Sequence, residues 1–259
     1  MYFNYIHIMM YLGLAAIGCI VGKFMAWCNL RLPQEKPIFS KEYFKENKAG
    51  NIKGTYIMML AIVCVYVVLL YKYGINQTFV KNLDLIKFLV LTPMLISSFV
   101  IDYKHRILPN RLNMTIFEAG IIFTFVYGIN NLNIAKDMLL GMITGAAIFG
   151  AITLLGGLIA GKEAMGLGDV KFMAAIGLFF GMSSIAEISL LSFFIASVFA
   201  IVILIVRGVF LKSEDEYIPF GPFLVAGAIV CIFIPGNTIF TMFMGICAGI
   251  SDKILSLVK

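Results

Sequence analysis

Charge is scarce in this chain. Only 13% of its 259 residues are Asp, Glu, Lys or Arg, where a soluble domain carries roughly a quarter, and that shortfall excludes an ordinary water-facing surface. Histidine occurs twice, at His7 and His105, too far apart in expected membrane depth to make a metal pair. The five cysteines, Cys19, Cys28, Cys64, Cys231 and Cys247, show no C-x-x-C spacing, so neither a zinc site nor a disulfide frame is indicated. Lying mostly inside apolar segments, they read as buried small hydrophobes. No basic stretch precedes the first apolar run and no small-x-small cleavage site follows it, so that run is expected to remain as a membrane span. The net charge of +6 does not point to nucleic acid, because the bases fall in short clusters with no basic stripe interleaved with exposed aromatics.

Apolar length is what the chain has instead. Hydrophobic residues make up 61% of it, and runs of about 20, enough to cross a bilayer, recur along it. Hydropathy places spans near 6–28, 55–72, 84–101, 112–129, 137–160, 170–182, 184–206 and 221–250. The sixth is short, and the last is interrupted at Pro235-Gly236-Asn237, as one kinked helix or two short ones. The expected fold is an all-α polytopic membrane protein, a bundle of about eight transmembrane helices forming a single membrane-embedded domain over 1–259. Four small-x-x-x-small pairs, Gly18/Gly22, Gly141/Gly145, Gly177/Gly181 and Gly245/Gly249, mark surfaces where helices can approach closely.

Lysine and arginine concentrate in 29–54, 103–111, 161–171 and 207–220, which makes alternate loops cytoplasmic. Two acids fall on that same side. Asp102 closes the third span in Ser-Ser-Phe-Val-Ile-Asp, ahead of the turn-forming Ile107-Leu108-Pro109-Asn110, and Asp169 follows Gly166-Leu167-Gly168 just before an apolar helix. Singly, each has an ordinary reading, a solvated span end for Asp102 and a helix N-cap for Asp169. As a pair at one depth they are a functional hypothesis, since two close carboxylates share one proton and can act as base and acid in peptide hydrolysis. Glu118, about two turns into the fourth span, is expected to be a bundle-facing acid, Lys23 to snorkel to the interface, and Lys171 to tune Asp169 or to serve as an inner-face charge. Gly166 and Gly168, lacking a Cβ, allow a sharp turn and the close approach of a substrate strand.

Gly-Leu-Gly-Asp-Val-Lys at 166–171 resembles the signature of the G-x-G-D membrane aspartyl proteases, and its flanks narrow the resemblance to the type IV prepilin peptidase family. Three further stretches agree in order and spacing: GKFMAWCNLRLP at 22–33, IDYKHRILPNRL at 101–112 and IPFGPFLVAGA at 218–228. The resemblance implies a protease of the bacterial cytoplasmic membrane that removes the leader of type IV pilin or pseudopilin precursors at the cytoplasmic face. Asp102 and Asp169 carry over as its catalytic pair, Gly166 and Gly168 as the motif glycines, with Lys171 and Pro109 placing the substrate, and no cofactor. Many members of that family hold zinc on two C-x-x-C pairs in a longer first cytoplasmic loop and also methylate the new N-terminus. The 29–54 loop here is short and has no cysteine, so zinc is not expected and the methylation does not carry over with it. The rival classes are a proton-coupled transporter using paired carboxylates, for which the inverted repeats are missing, and a catalytically silent assembly factor.

Overall fold

A computed structural model describes residues 5–38, 54–75, 79–161, 165–210 and 219–234, with isolated positions 241 and 245. Every regular element among the described residues is helical. In chain order these are α1 (Tyr5–Arg31), a 3-10 turn (Leu32–Gln34), α2 (Thr55–Tyr73), α3 (Phe79–His105), α4 (Asn110–Asn130), α5 (Leu132–Ala160), α6 (Leu167–Phe210) and α7 (Gly221–Phe233). Six of them are long and apolar enough to cross a membrane, and α7 is a shorter apolar helix of 13 residues.

α6 is two helices in one run. At Gly181 the backbone takes φ 80 and ψ 177, a left-handed conformation open to glycine at little cost. The chain reverses there. Gly150, on α5, lies near Val170 of the first arm, while its neighbour Phe149 stacks on Phe193 of the second arm at 5.6 Å, so residues on either side of Gly181 return to one level. Asp137 of α5 caps the new start by accepting the Met182 N–H at 3.2 Å. The expected boundary between spans 170–182 and 184–206 thus corresponds to a hairpin inside the bundle, and with α7 the apolar helical segments among the described residues number eight, consistent with the expected bundle of about eight.

Three of the four glycine pairs are contact surfaces. A Cβ on Gly22 would sit 2.6 Å from Met59 Cα, and one on Gly18 3.0 Å from Val63 Cγ2, so α1 and α2 meet backbone to backbone. Gly141 and Gly145 face Gly177, Gly181 and Met173 in the same way, a Cβ on Gly141 falling 2.8 Å from Gly181 Cα. Lipid supplies no hydrophobic drive between helices, so this close packing carries the association. The fourth pair is only half described, and nothing approaches Gly245 within 4 Å.

Two expectations fail. Glu118 is exposed on the outward face of α4, because Ile116, Gly120, Phe123 and Tyr127 take the inward face and leave position 118 opposite them. Cys64 is likewise exposed on α2, although Cys28 is buried as expected. Lys23 is exposed near the end of α1, in keeping with a snorkelling side chain. The His7 side chain and residues 39–53 of the 29–54 loop lie outside the described residues.

Candidate active site

α3 ends because Arg106 adopts a left-handed φ of 57 and its N–H closes on Asp102 O at 2.8 Å. Pro109, with φ −62 and ψ 131, then starts α4, and its carbonyl takes the N–H groups of Leu112 and Asn113 at 3.0 and 3.2 Å. The resulting four-residue link, 106–109, lays Leu108 against the glycine loop, where a Cβ on Gly168 would lie 3.4 Å from Leu108 Cβ. Two side chains bind the segments together. Asn113 Nδ2 donates to Gly168 O and Lys171 Nζ to Asn110 Oδ1, both at 3.1 Å.

Both candidate acids are buried at this junction, Asp102 at 5% and Asp169 at 9% exposure. Asp102 is close enough for Asp169 to feel its charge. The Gly221 N–H, at the start of α7, hydrogen-bonds the Asp102 carboxylate, while Asp102 Oδ2 is buried without a hydrogen-bond partner among the described residues. Gly221 is glycine for a steric reason: an added Cβ would collide with Asp102 Oδ2 and stand 2.9 Å from its Cγ. Asp169 sits in the first turn of α6, and its N–H donates to Gly166 O at 3.0 Å.

The residues named from sequence therefore converge, with altered roles. Gly166 and Gly168 have no positive φ, so the expected sharp turn is not what glycine supplies; Gly168 makes room for Leu108, and a Cβ on Gly166 would meet nothing closer than 3.9 Å. Lys171 is exposed and braces Asn110, and Pro109 shapes the turn. His105 ends α3 beside Asn29, Leu30 and Lys104 in a cleft between α1, α2 and α3, at the end of α1 opposite to His7. The 3-10 turn reaches the same end, with Arg111 Nη1 donating to Lys36 O at 3.1 Å. Arg31 lies 4.2 Å over the Trp27 ring and donates to Pro37 O at 3.1 Å. Segments 22–33, 101–112, 166–171 and the start of α7 thus gather at one end of the bundle.

Sequence reasoning missed Gly221, Asn113 and Glu187. Glu187, on the second arm of α6, is 8% exposed with Oε2 unpartnered, but it lies beside Cys231, ten residues along α7 from Gly221 and so about 15 Å away by helical rise. It is not brought to the two aspartates.

The model of the type IV leader peptidase family matches residues 89–205. Leader peptidase HopD of Escherichia coli is 33% identical over 132 residues, covering 51% of this chain and 82% of that protein. The chain belongs to the type IV leader peptidase family. Two longer relatives are prepilin leader peptidase/N-methyltransferases: that of Aeromonas salmonicida strain A449 is 30% identical over 146 residues, 56% of this chain and 48% of the relative. That of Xanthomonas campestris pv. campestris is 33% identical over 151 residues, 58% of this chain and 50% of the relative. The match thus spans about half the length of these two bifunctional relatives. No solved structure matches. The leader peptidase family match contains both aspartates, both motif glycines and Asn113, and it leaves Gly221 and the whole of α1, α2 and α7 outside.

Proposed function

We propose that this member of the type IV leader peptidase family is an aspartyl endopeptidase of the bacterial cytoplasmic membrane, cleaving the leader from type IV pilin or pseudopilin precursors at the cytoplasmic face. The observation that carries the reading is a pair of buried, neighbouring carboxylates, Asp102 and Asp169, the first of which keeps an oxygen without a partner among the described residues. Native structures pair nearly all buried polar atoms, and an unpaired one marks a place where water or substrate belongs.

The chemistry follows from the asymmetry of the pair. Asp102 accepts the Gly221 backbone N–H, a bond that favours its charged form, so Asp102 is the ionised member and takes the proton from the attacking water. Asp169, neutral beside it, donates to the scissile carbonyl oxygen. As the tetrahedral intermediate collapses, the proton taken by Asp102 passes to the leaving amine, and the roles reset. Leu108, Pro109 and the glycine loop form the rim against which the peptide lies. The basic residues of 29–54, 103–111, 161–171 and 207–220 support the cytoplasmic placement of this end. Cleavage alone is proposed: the cysteine-free 29–54 segment offers no thiolates for zinc, and nothing at the site speaks for methyl transfer.

The test is incubation of the purified protein in detergent with a synthetic precursor segment spanning leader and adjoining apolar stretch, read by mass spectrometry. A single cut at the leader boundary is expected. An uncut segment, with the protein folded, overturns the reading.

A further inference from the structure

Asn113 has no part in the chemistry above, yet it is tied to the peptide unit that carries Asp169. It lies in the first turn of α4, 3% exposed, with its own N–H held by Pro109 O at 3.2 Å. Its Nδ2 grips the Gly168 carbonyl at 3.1 Å, and on the other edge of the same peptide unit the Asp169 N–H is held by Gly166 O at 3.0 Å. A peptide unit is planar, so fixing its C=O and N–H from opposite edges fixes the plane that leads into the Asp169 Cα and, with the helical backbone of α6, the Cα–Cβ direction from which the carboxylate extends.

The other half of the amide is informative. Asn113 Oδ1 is buried without a partner among the described residues, which is costly, and an apolar side chain of similar shape would fill the space without that cost. The NH2 half is therefore what the position requires. We propose that Asn113 is the positioning residue of the catalytic pair, setting the reach of Asp169 toward Asp102 through the Gly168 carbonyl. This rests on the aspartyl protease reading.

Asn113→Leu keeps the γ-branched shape, with somewhat greater volume, and removes the donor. Its kcat per folded molecule should fall about tenfold to a hundredfold, the cost of a displacement near 1 Å at a reacting group, with KM close to wild type. A purely structural role would lower the yield of folded protein and leave kcat per folded molecule unchanged, and that result overturns the proposal. If the leucine variant does not fold, Asn113→Asp decides. A neutral carboxyl can donate to Gly168 O and an ionised one cannot, so this variant should keep activity at acid pH and lose it at alkaline pH where wild type still works; coincident pH profiles overturn the proposal. Wild type run alongside separates the two claims. If it cuts no precursor, the protease reading fails, and positioning is then read from the infrared titration of the aspartic carboxyls: a midpoint displaced in Asn113→Leu or Asn113→Asp supports it, and midpoints identical to wild type reject it.

Discussion

The two ends of α3 treat buried charge in opposite ways. Near its start, Asp84 binds Lys87 Nζ at 3.2 Å and accepts the Tyr127 hydroxyl. Lys87 also lies over the Phe88 and Tyr127 rings at 4.7 and 5.2 Å. Close by, Lys72 Nζ and Tyr73 OH both donate to Ile232 O at the far end of α7, at 2.6 and 2.9 Å. Eighteen residues on, about 27 Å by helical rise, Asp102 is more deeply buried and has an oxygen with no partner. The first arrangement anchors helices. The second leaves an oxygen of Asp102 unsatisfied among the described residues, and in the proposed mechanism that oxygen is where the reactant sits.

Substitutions can break this contrast, and the largest effect belongs to the dyad. Asp102→Asn or Asp169→Asn should lower leader cleavage by at least about a thousandfold, measured as released leader by mass spectrometry, with the melting temperature preserved. The double variant should be no worse than either single, because concerted groups are not additive. At the anchoring end the expectation reverses: Lys87→Met removes the ion pair while Asp84 keeps the Tyr127 hydroxyl and 33% exposure, and should cost about 2 kcal/mol in stability, the loss of one charged hydrogen bond. Unfolding in detergent would show that loss while kcat per folded molecule stays at the wild-type value. Gly221→Ala comes next. Its methyl group displaces the Asp102 carboxylate and should reduce kcat by about tenfold to a hundredfold; an unchanged rate would separate α7 from the chemistry. Smallest of all, Glu118→Gln and Glu187→Gln should leave cleavage unaltered, and a loss in either would bring that acid into the site.

Each aspartate is an acid at the edge of a long apolar run, which an ordinary span end or helix cap also explains; what singled them out was their pairing at one depth and the 101–112 and 166–171 stretches. Helix limits were legible to within a turn or so, α2 at 55–73 against an expected 55–72 and α3 at 79–105 against 84–101. Facing was not. In water the inward side of a helix announces itself by being apolar, but in α4 both sides are apolar, with Ile116 and Phe123 buried and Ile122 and Phe125 exposed. Nothing in that pattern tells which way Glu118 points, and it points outward. Gly221 was hidden for another reason. Its contact with Asp102 joins positions 119 residues apart and exists only because the α6 hairpin and α7 return the chain to the end of α3. Asn113 reads as an unremarkable helix residue until Gly168 is seen across from it.

The two helices that converge on the aspartates are also short. α7 has 13 residues, and the first arm of α6, 167–180, has 14, lengths of about 20 Å against a hydrocarbon core of about 30 Å. Both are enclosed by other helices over most of their length, with Phe172, Met173, Leu178, Leu224 and Val225 fully buried. Their shortness is therefore set against taller neighbours in the bundle and not against lipid, and the two carboxylates lie inside the bundle at a point where these neighbours outreach the helices that start beside them.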